Sequence, residues 1–162
     1  MKRTEWILFL TVLLAVAGFA LPTPVVTPMF MDDSYHLLST DTAQTERVWW
    51  LMLCFALYPL GQIIGGPWLG RLSDRWGRKQ VLGSALVGVV VGYVLMAVAI
   101  WQEWLWLLLI SRFFEGLCNG SVAIAQALAA DISTPERKPI LFSRLNIALN
   151  MGWIVGPLFG GF

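Results

Sequence analysis

Residues 70–81 read Gly70-Arg71-Leu72-Ser73-Asp74-Arg75-Trp76-Gly77-Arg78-Lys79-Gln80-Val81, a charged segment set between two long apolar runs. The runs on either side, Val48 to Gly70 and Val81 to Trp101, each reach the length of about 20 apolar residues that a transmembrane helix needs. The segment between them is therefore expected to turn the chain around at a membrane edge, where its cations can stay in water. Gly70 and Gly77 are expected to permit a tight reversal between two helices, and Asp74 sets one carboxylate among four cations. A loop that only has to stay on one side of a membrane needs the cations alone. The spacing Gly-x-x-x-Asp-Arg-x-Gly-Arg-Lys asks for a more specific explanation.

Composition agrees with a lipid solvent. The 162 residues are 57% hydrophobic, with nine Trp and nine Phe and only 13% charge, more apolar side chain than a soluble domain of this size buries. Five runs are long enough to cross a bilayer: Trp6–Met31, Val48–Gly70, Val81–Trp101, Trp104–Ala130 and Ile140–Phe162. An acidic loop (Asp32 to Arg47), the basic segment from Arg71 to Gln80, a turn at Gln102-Glu103 and a charged loop (Asp131 to Pro139) separate them. The first run is too long for a signal peptide and has no small-residue cleavage site, so it reads as a retained helix. The final Gly160-Gly161-Phe162 lies inside a glycine-rich apolar run, and the chain is expected to be cut short there.

Lys2, Arg3, Arg71, Arg75, Arg78, Lys79, Arg137, Lys138 and Arg144 fall on one side of this topology, and Arg47 alone flanks a span on the other. The positive-inside rule then puts the N-terminus in the cytoplasm, in the inner membrane if the source is bacterial. Trp49, Trp50, Trp101, Trp104 and Trp106 gather at the opposite ends, as interfacial rings do. A net charge of +1 argues against nucleic acid as a partner. Cys54 and Cys118 sit in apolar runs and the chain has one His, so neither a disulfide framework nor a metal site is expected, and no cofactor. No nucleophile, base and oxyanion donor group together, which argues against an enzyme.

The segment 70–81 resembles the cytoplasmic signature between the second and third helices of the major facilitator superfamily, and it lies here between the second and third spans. In the fourth span Arg112-Phe113-Phe114-Glu115-Gly116 resembles the family's Arg-x-x-x-Gly element, and Ala130-Asp131 with Pro135-Glu136-Arg137 resembles what ends that helix. In the fifth, Gly152-x-x-x-Gly156-Pro157-x-x-Gly160-Gly161 resembles the motif of the drug:proton antiporter branch, as in tetracycline-type efflux pumps. Upstream of Gly152, Arg144 occupies a position where that pattern has glycine. Gly18 with Pro22, Pro24 and Pro28 is loosely similar to the proline element of the first helix in twelve-helix members. The resemblance spans nearly the whole chain. It implies an all-α polytopic transmembrane bundle, five of the six helices of an N-terminal half, working with a second half outside this sequence.

Three groups of residues are candidates for function. Arg112 and Glu115 are the ionisable residues of the fourth span; on one continuous helix Arg112, Glu115, Asn119, Ala123 and Gln126 would share an arc of roughly 80°. That face is expected to avoid lipid. Either Arg112 and Glu115 satisfy each other at i, i+3, or they line the transport path with Asn119 and Gln126, Arg112 meeting an anion and Glu115 carrying a proton. Gly70, Asp74, Arg75, Gly77, Arg78, Lys79 and Asp131 are, by the resemblance, a cytoplasmic gating cluster; simple retention of a basic loop is the alternative. Gly152, Gly156, Pro157, Gly160 and Gly161 form a bare, kinked stripe for close helix packing, which the resemblance reads as a seal against ion leak. Gly61, Gly65, Gly66 and Gly70, with Pro59 and Pro67, repeat that pattern in the second span. The resemblance implies export of a small organic molecule by alternating access, coupled to proton entry, with the lipid bilayer, that substrate, protons and the missing C-terminal half as partners. A facilitator-type metabolite or nutrient transporter, and a truncated membrane protein that moves nothing, are the alternatives.

Overall fold

The computed structural model describes residues 3–161; the side chains of Arg3 and Ser121 are not described, and Lys2 and Phe162 lie outside the described residues. Among the described residues seven helical segments follow one another: α1 (Arg3–Ala20), α2 (Thr23–Met31), α3 (Gln44–Trp76), α4 (Arg78–Trp101), α5 (Leu105–Cys118), α6 (Ser121–Ile132) and α7 (Lys138–Gly160). No strand occurs among the described residues, so the chain is all-α. Two pairs of segments are single spans with a break. Between α1 and α2 the chain stays close to helical at Pro22 (φ −72°, ψ −16°), but Pro22 and Pro24 offer no amide donor and the ladder is interrupted. Between α5 and α6 the break falls at Asn119-Gly120, where Asn119 turns to ψ 39°.

Thr4–Met31, Gln44–Trp76, Arg78–Trp101 and Leu105–Ile132 are long and apolar enough to cross a membrane, and the protein is an integral membrane protein. The last helix, α7, has the length, with 23 residues, but Arg144, Asn146 and Asn150 make it less apolar than these four.

The reversal at residues 70–81 is tighter than its charge suggests. α3 runs through Arg71, Asp74 and Arg75 to Trp76, and α4 begins at Arg78, so Gly77 alone turns the chain. Its φ of +93° is one that residues with a Cβ rarely adopt. Gly70, expected to share in the turn, is inside α3 with open space where a Cβ would be. The reason is that a helix does not stop where hydrocarbon stops: arginine and leucine favour the helical state, and the extra turns simply stand in water.

Packing uses small residues. α3 lies against α5, α1 against α7, and α4 against α5. A Cβ on Gly61 or Gly65 would strike the α5 backbone at Phe113 or Leu117, and one on Gly116 the α3 backbone at Tyr58. Gly66, like Gly70, has nothing near it, so the second span's glycines divide into a packing pair and an open pair. Gly152, Gly156 and Gly160 meet α1 and its continuation at Val16–Ala17, Ala17–Ala20 and Leu21. Leu14, Ile63, Val87, Trp101, Ile154 and Phe159 are exposed on the outside, as a surface solvated by lipid permits.

At the tryptophan end, the loop between α2 and α3 is tied down by Arg47. Its guanidinium is buried, pairs with Asp33 at 2.6 Å and donates to the Thr42 carbonyl at 3.1 Å. The His36 amide donates to Glu103 at 2.9 Å, joining this loop to the α4–α5 turn. Trp50 and Trp106 meet edge to face at the same level, with centroids 5.8 Å apart.

Candidate functional site

α5 points Arg112, Glu115 and Asn119 from one face into the middle of the bundle, where α1, α3 and α4 converge on them. Arg112 and Glu115 are fully buried (0% exposed), and Arg112 Nη1 donates to Glu115 Oε2 at 2.9 Å. The guanidinium also lies over two rings, 5.4 Å from the centroids of both Phe19 of α1 and Tyr58 of α3. Asn119 Nδ2 donates to the Tyr58 hydroxyl, and Gln62 Nε2 to the Asn119 carbonyl at 3.3 Å. Gly92 of α4 lets Glu115 approach closely, since a Cβ there would sit 3.2 Å from the Glu115 Cβ.

The mutual pairing expected at i, i+3 is thus present, yet it uses one edge of each group. Arg112 Nε and Nη2 are buried with no hydrogen-bond partner among the described residues, and the remaining Glu115 oxygen faces the buried Tyr93 hydroxyl. Leaving donors unsatisfied in a low-dielectric interior costs roughly 1–3 kcal/mol each, more for charged groups. Such a cost marks a site able to take up a proton, a water or an anionic group. The expected arc does not continue past Asn119. Because the helix breaks at Asn119-Gly120, the 100° register is reset; α6 buries Ile124, Ala125 and Ala129, leaving Gln126 half-buried and Ala123 exposed. Gln126 therefore stands apart from the pair. Sequence reasoning missed Phe19, Tyr58, Gln62 and Tyr93; the available signal was two tyrosines and an amide in mid-span rather than at the interfaces where such residues gather.

A second cluster closes the end where α3 meets α4. Arg78 reaches Asp74 at 3.4 Å and also bonds Asp131 in the last turn of α6, linking three elements through one guanidinium. Arg75 and Lys79 are exposed and make no ion pair among the described residues, and Gly70 takes no part. Of the seven residues grouped from the sequence, the structure joins Asp74, Arg78 and Asp131 around the Gly77 turn. At the same end α1 and α7 are joined by Glu5 and Arg144, 2.9 Å apart. This pair was not foreseen: Arg144 read as one of the cations of that side and as a departure from a glycine pattern. Its signal was an acid at the edge of the first run and a base one turn inside the fifth, on the same side of the topology.

The glycine motif of α7 lies along α1 as described. Pro157 is inside the helix and Gly161 closes it, donating to the Pro157 carbonyl at 3.0 Å. Among the described residues no group of three or more His, Cys, Asp and Glu could hold a metal.

The chain is 32% identical over its whole length to the class B tetracycline resistance protein of Escherichia coli, covering 38% of that protein. It is 34% identical to the class C protein of Escherichia coli over 93% of the chain, 35% of the relative. A probable triacylglyceride transporter of Mycobacterium bovis is 33% identical over 92% of the chain and 28% of the relative. The chain thus spans less than two fifths of the length of these relatives, 38% at most among the three. The model of the Major Facilitator Superfamily matches residues 8–162, and the chain belongs to that family of transport proteins rather than to an enzyme family.

Proposed function

We propose that this chain supplies five helices of the N-terminal bundle of a transporter that exports a small organic molecule by alternating access, driven by proton entry. The observation that carries this reading is the buried Arg112–Glu115 pair, which keeps Arg112 Nε and Nη2 unpartnered among the described residues at the centre of the bundle. In the proposal the second bundle covers this face, substrate lies near the midplane between the halves, and Glu115 exchanges its proton as Arg112 changes partners. Asn119 and Tyr58 hold the α5 end of the path through their hydrogen bond. The Asp74–Arg78–Asp131 link, with Gly70, Arg75, Gly77 and Lys79 around it, serves as the latch that is made in one state and broken in the other. The stripe of Gly152, Gly156, Pro157, Gly160 and Gly161 holds α7 against α1 and seals the bundle against leak. Lys and Arg at the latch end support a cytoplasmic side for it and for the N-terminus.

The named activity of the tetracycline resistance relatives supports a drug-like substrate, and that of the triacylglyceride transporter relative supports a more lipid-like one. The apolar and aromatic surroundings of Arg112 suit an amphipathic molecule in either case. Fluorescent-substrate efflux by the full-length protein in cells, with and without a proton ionophore, tests the proposal: ionophore-sensitive efflux of at least one compound supports it. Efflux indifferent to the ionophore would remove proton coupling and leave the facilitator reading.

A further inference from the structure

A cleft of about 500 Å³ opens at the end of the bundle where α1 begins, outside the latch and the Arg112 site. Thr4 and Glu5 of α1, Thr134 and Arg137 of the α6–α7 turn, and Leu141 and Arg144 of α7 line it. The charges divide unequally. Glu5 is taken by Arg144, whereas Arg137 has no ion pair among the described residues and leaves the cleft with one cation in excess. Two further acids lie near by: Asp131 is bound to Arg78, and Glu136, on the same turn as Arg137, is exposed, outside the cleft lining, and held below the usual carboxylate range by backbone hydrogen bonding. The Thr4 hydroxyl supplies a neutral donor, whereas the Thr134 hydroxyl is given to the Glu136 carboxylate.

Ile132 and Ile140 are also in the wall, and they remain 47% and 56% exposed to the outside of the bundle. Trp6, next to Glu5, is exposed at the same level, where an indole marks the boundary between headgroups and hydrocarbon. Cation, hydroxyl and apolar rim together match a phosphate that carries acyl chains. A free phosphate has the same anionic chemistry but no use for the isoleucines.

We infer that this cleft binds the headgroup of an anionic phospholipid, with Arg137 facing the phosphate, Arg144 held beside it by Glu5, and Ile132 and Ile140 against the first acyl methylenes. The site joins the start of α1 to the α6–α7 turn and the first turns of α7. Native mass spectrometry of the full-length protein, titrated with dioleoylphosphatidylglycerol, dioleoylphosphatidylcholine or inorganic phosphate, tests it. Arg137→Ala is the informative variant, because Arg137 is exposed and its loss leaves the Glu5–Arg144 pair intact. Phosphatidylglycerol binding should weaken about five-fold, the effect of one cation near a membrane surface, while Arg71→Ala, remote from the cleft, leaves it unchanged. Equal retention of phosphatidylcholine, binding unaltered by Arg137→Ala, or displacement of the lipid by excess inorganic phosphate would overturn the assignment.

Discussion

Arg112 and Glu115 show how one contact can be structural and functional at once. Removing one partner leaves the other charge buried, and for buried pairs that costs about 3–5 kcal/mol. Replacing both with leucine removes the charges together and should restore most of that stability. Thermal unfolding of the full-length protein in detergent should therefore show Arg112→Ala strongly destabilised and the double leucine variant close to wild type, with transport absent in both. A double variant as unstable as the single one would mean that the pair's neighbours, not its charge balance, set the cost. The exposed Asp74–Arg78 contact behaves differently: Asp74→Asn should cost under about 1 kcal/mol, as solvated ion pairs do, while still reducing flux. The sequence announced Arg112 and Glu115 by charge in an apolar run. It could not announce Phe19, Tyr58 and Tyr93 as their surroundings, since those contacts come from three other helices and depend on how the helices cross.

Among the elements, the glycines of α3 and α7 separate by what stands opposite them. A Cβ on Gly156 would lie 2.7 Å from the Ala20 Cβ and one on Gly152 would lie 2.7 Å from the Val16 Cβ, so α1 and α7 would have to move apart. Gly156→Ala is expected to lower stability by about 1–3 kcal/mol, the usual cost of overpacking. Gly66→Ala, with open space around it, should be neutral or stabilise by up to about 1 kcal/mol because alanine favours the helix. Comparing unfolding midpoints of the two variants checks the direction, and the same sign for both would contradict the packing assigned to α7. Four spans were legible from apolar length, but their ends were not. α3 and α4 extend past hydrocarbon through charged residues, which hydropathy counts as loop, and the break at Asn119-Gly120 carries no proline to betray it. That break is why Gln126 left the stripe on which periodicity had placed it.

For the whole molecule, the ends of the bundle differ in how they are held. One end has Arg78 between Asp74 and Asp131, with Glu5–Arg144 beside it; the other has Arg47 with Asp33 and the bond of the His36 amide to Glu103. If the first end is cytoplasmic, a cysteine placed at Arg75 should react with an impermeant thiol reagent only in inverted vesicles, and one at Tyr35 only in right-side-out cells. The reverse pattern would invert the proposed orientation. Both native cysteines lie within helices, Cys54 buried and Cys118 half-buried, which keeps their background reactivity low. The pairing of Glu5 with Arg144 was out of reach of motif reading because it joins the two extremes of the chain, and only the packing of α7 on α1 brings them together. The central claim, a proton-driven path through Arg112 with a latch at Asp74, is tested most directly by flux in inverted vesicles carrying the full-length protein. With an imposed proton gradient and a panel of fluorescent compounds, uptake should collapse when the gradient is dissipated and be lost in both Arg112→Ala and Asp74→Asn. Uptake that persists without the gradient, or that survives both substitutions, would contradict the account.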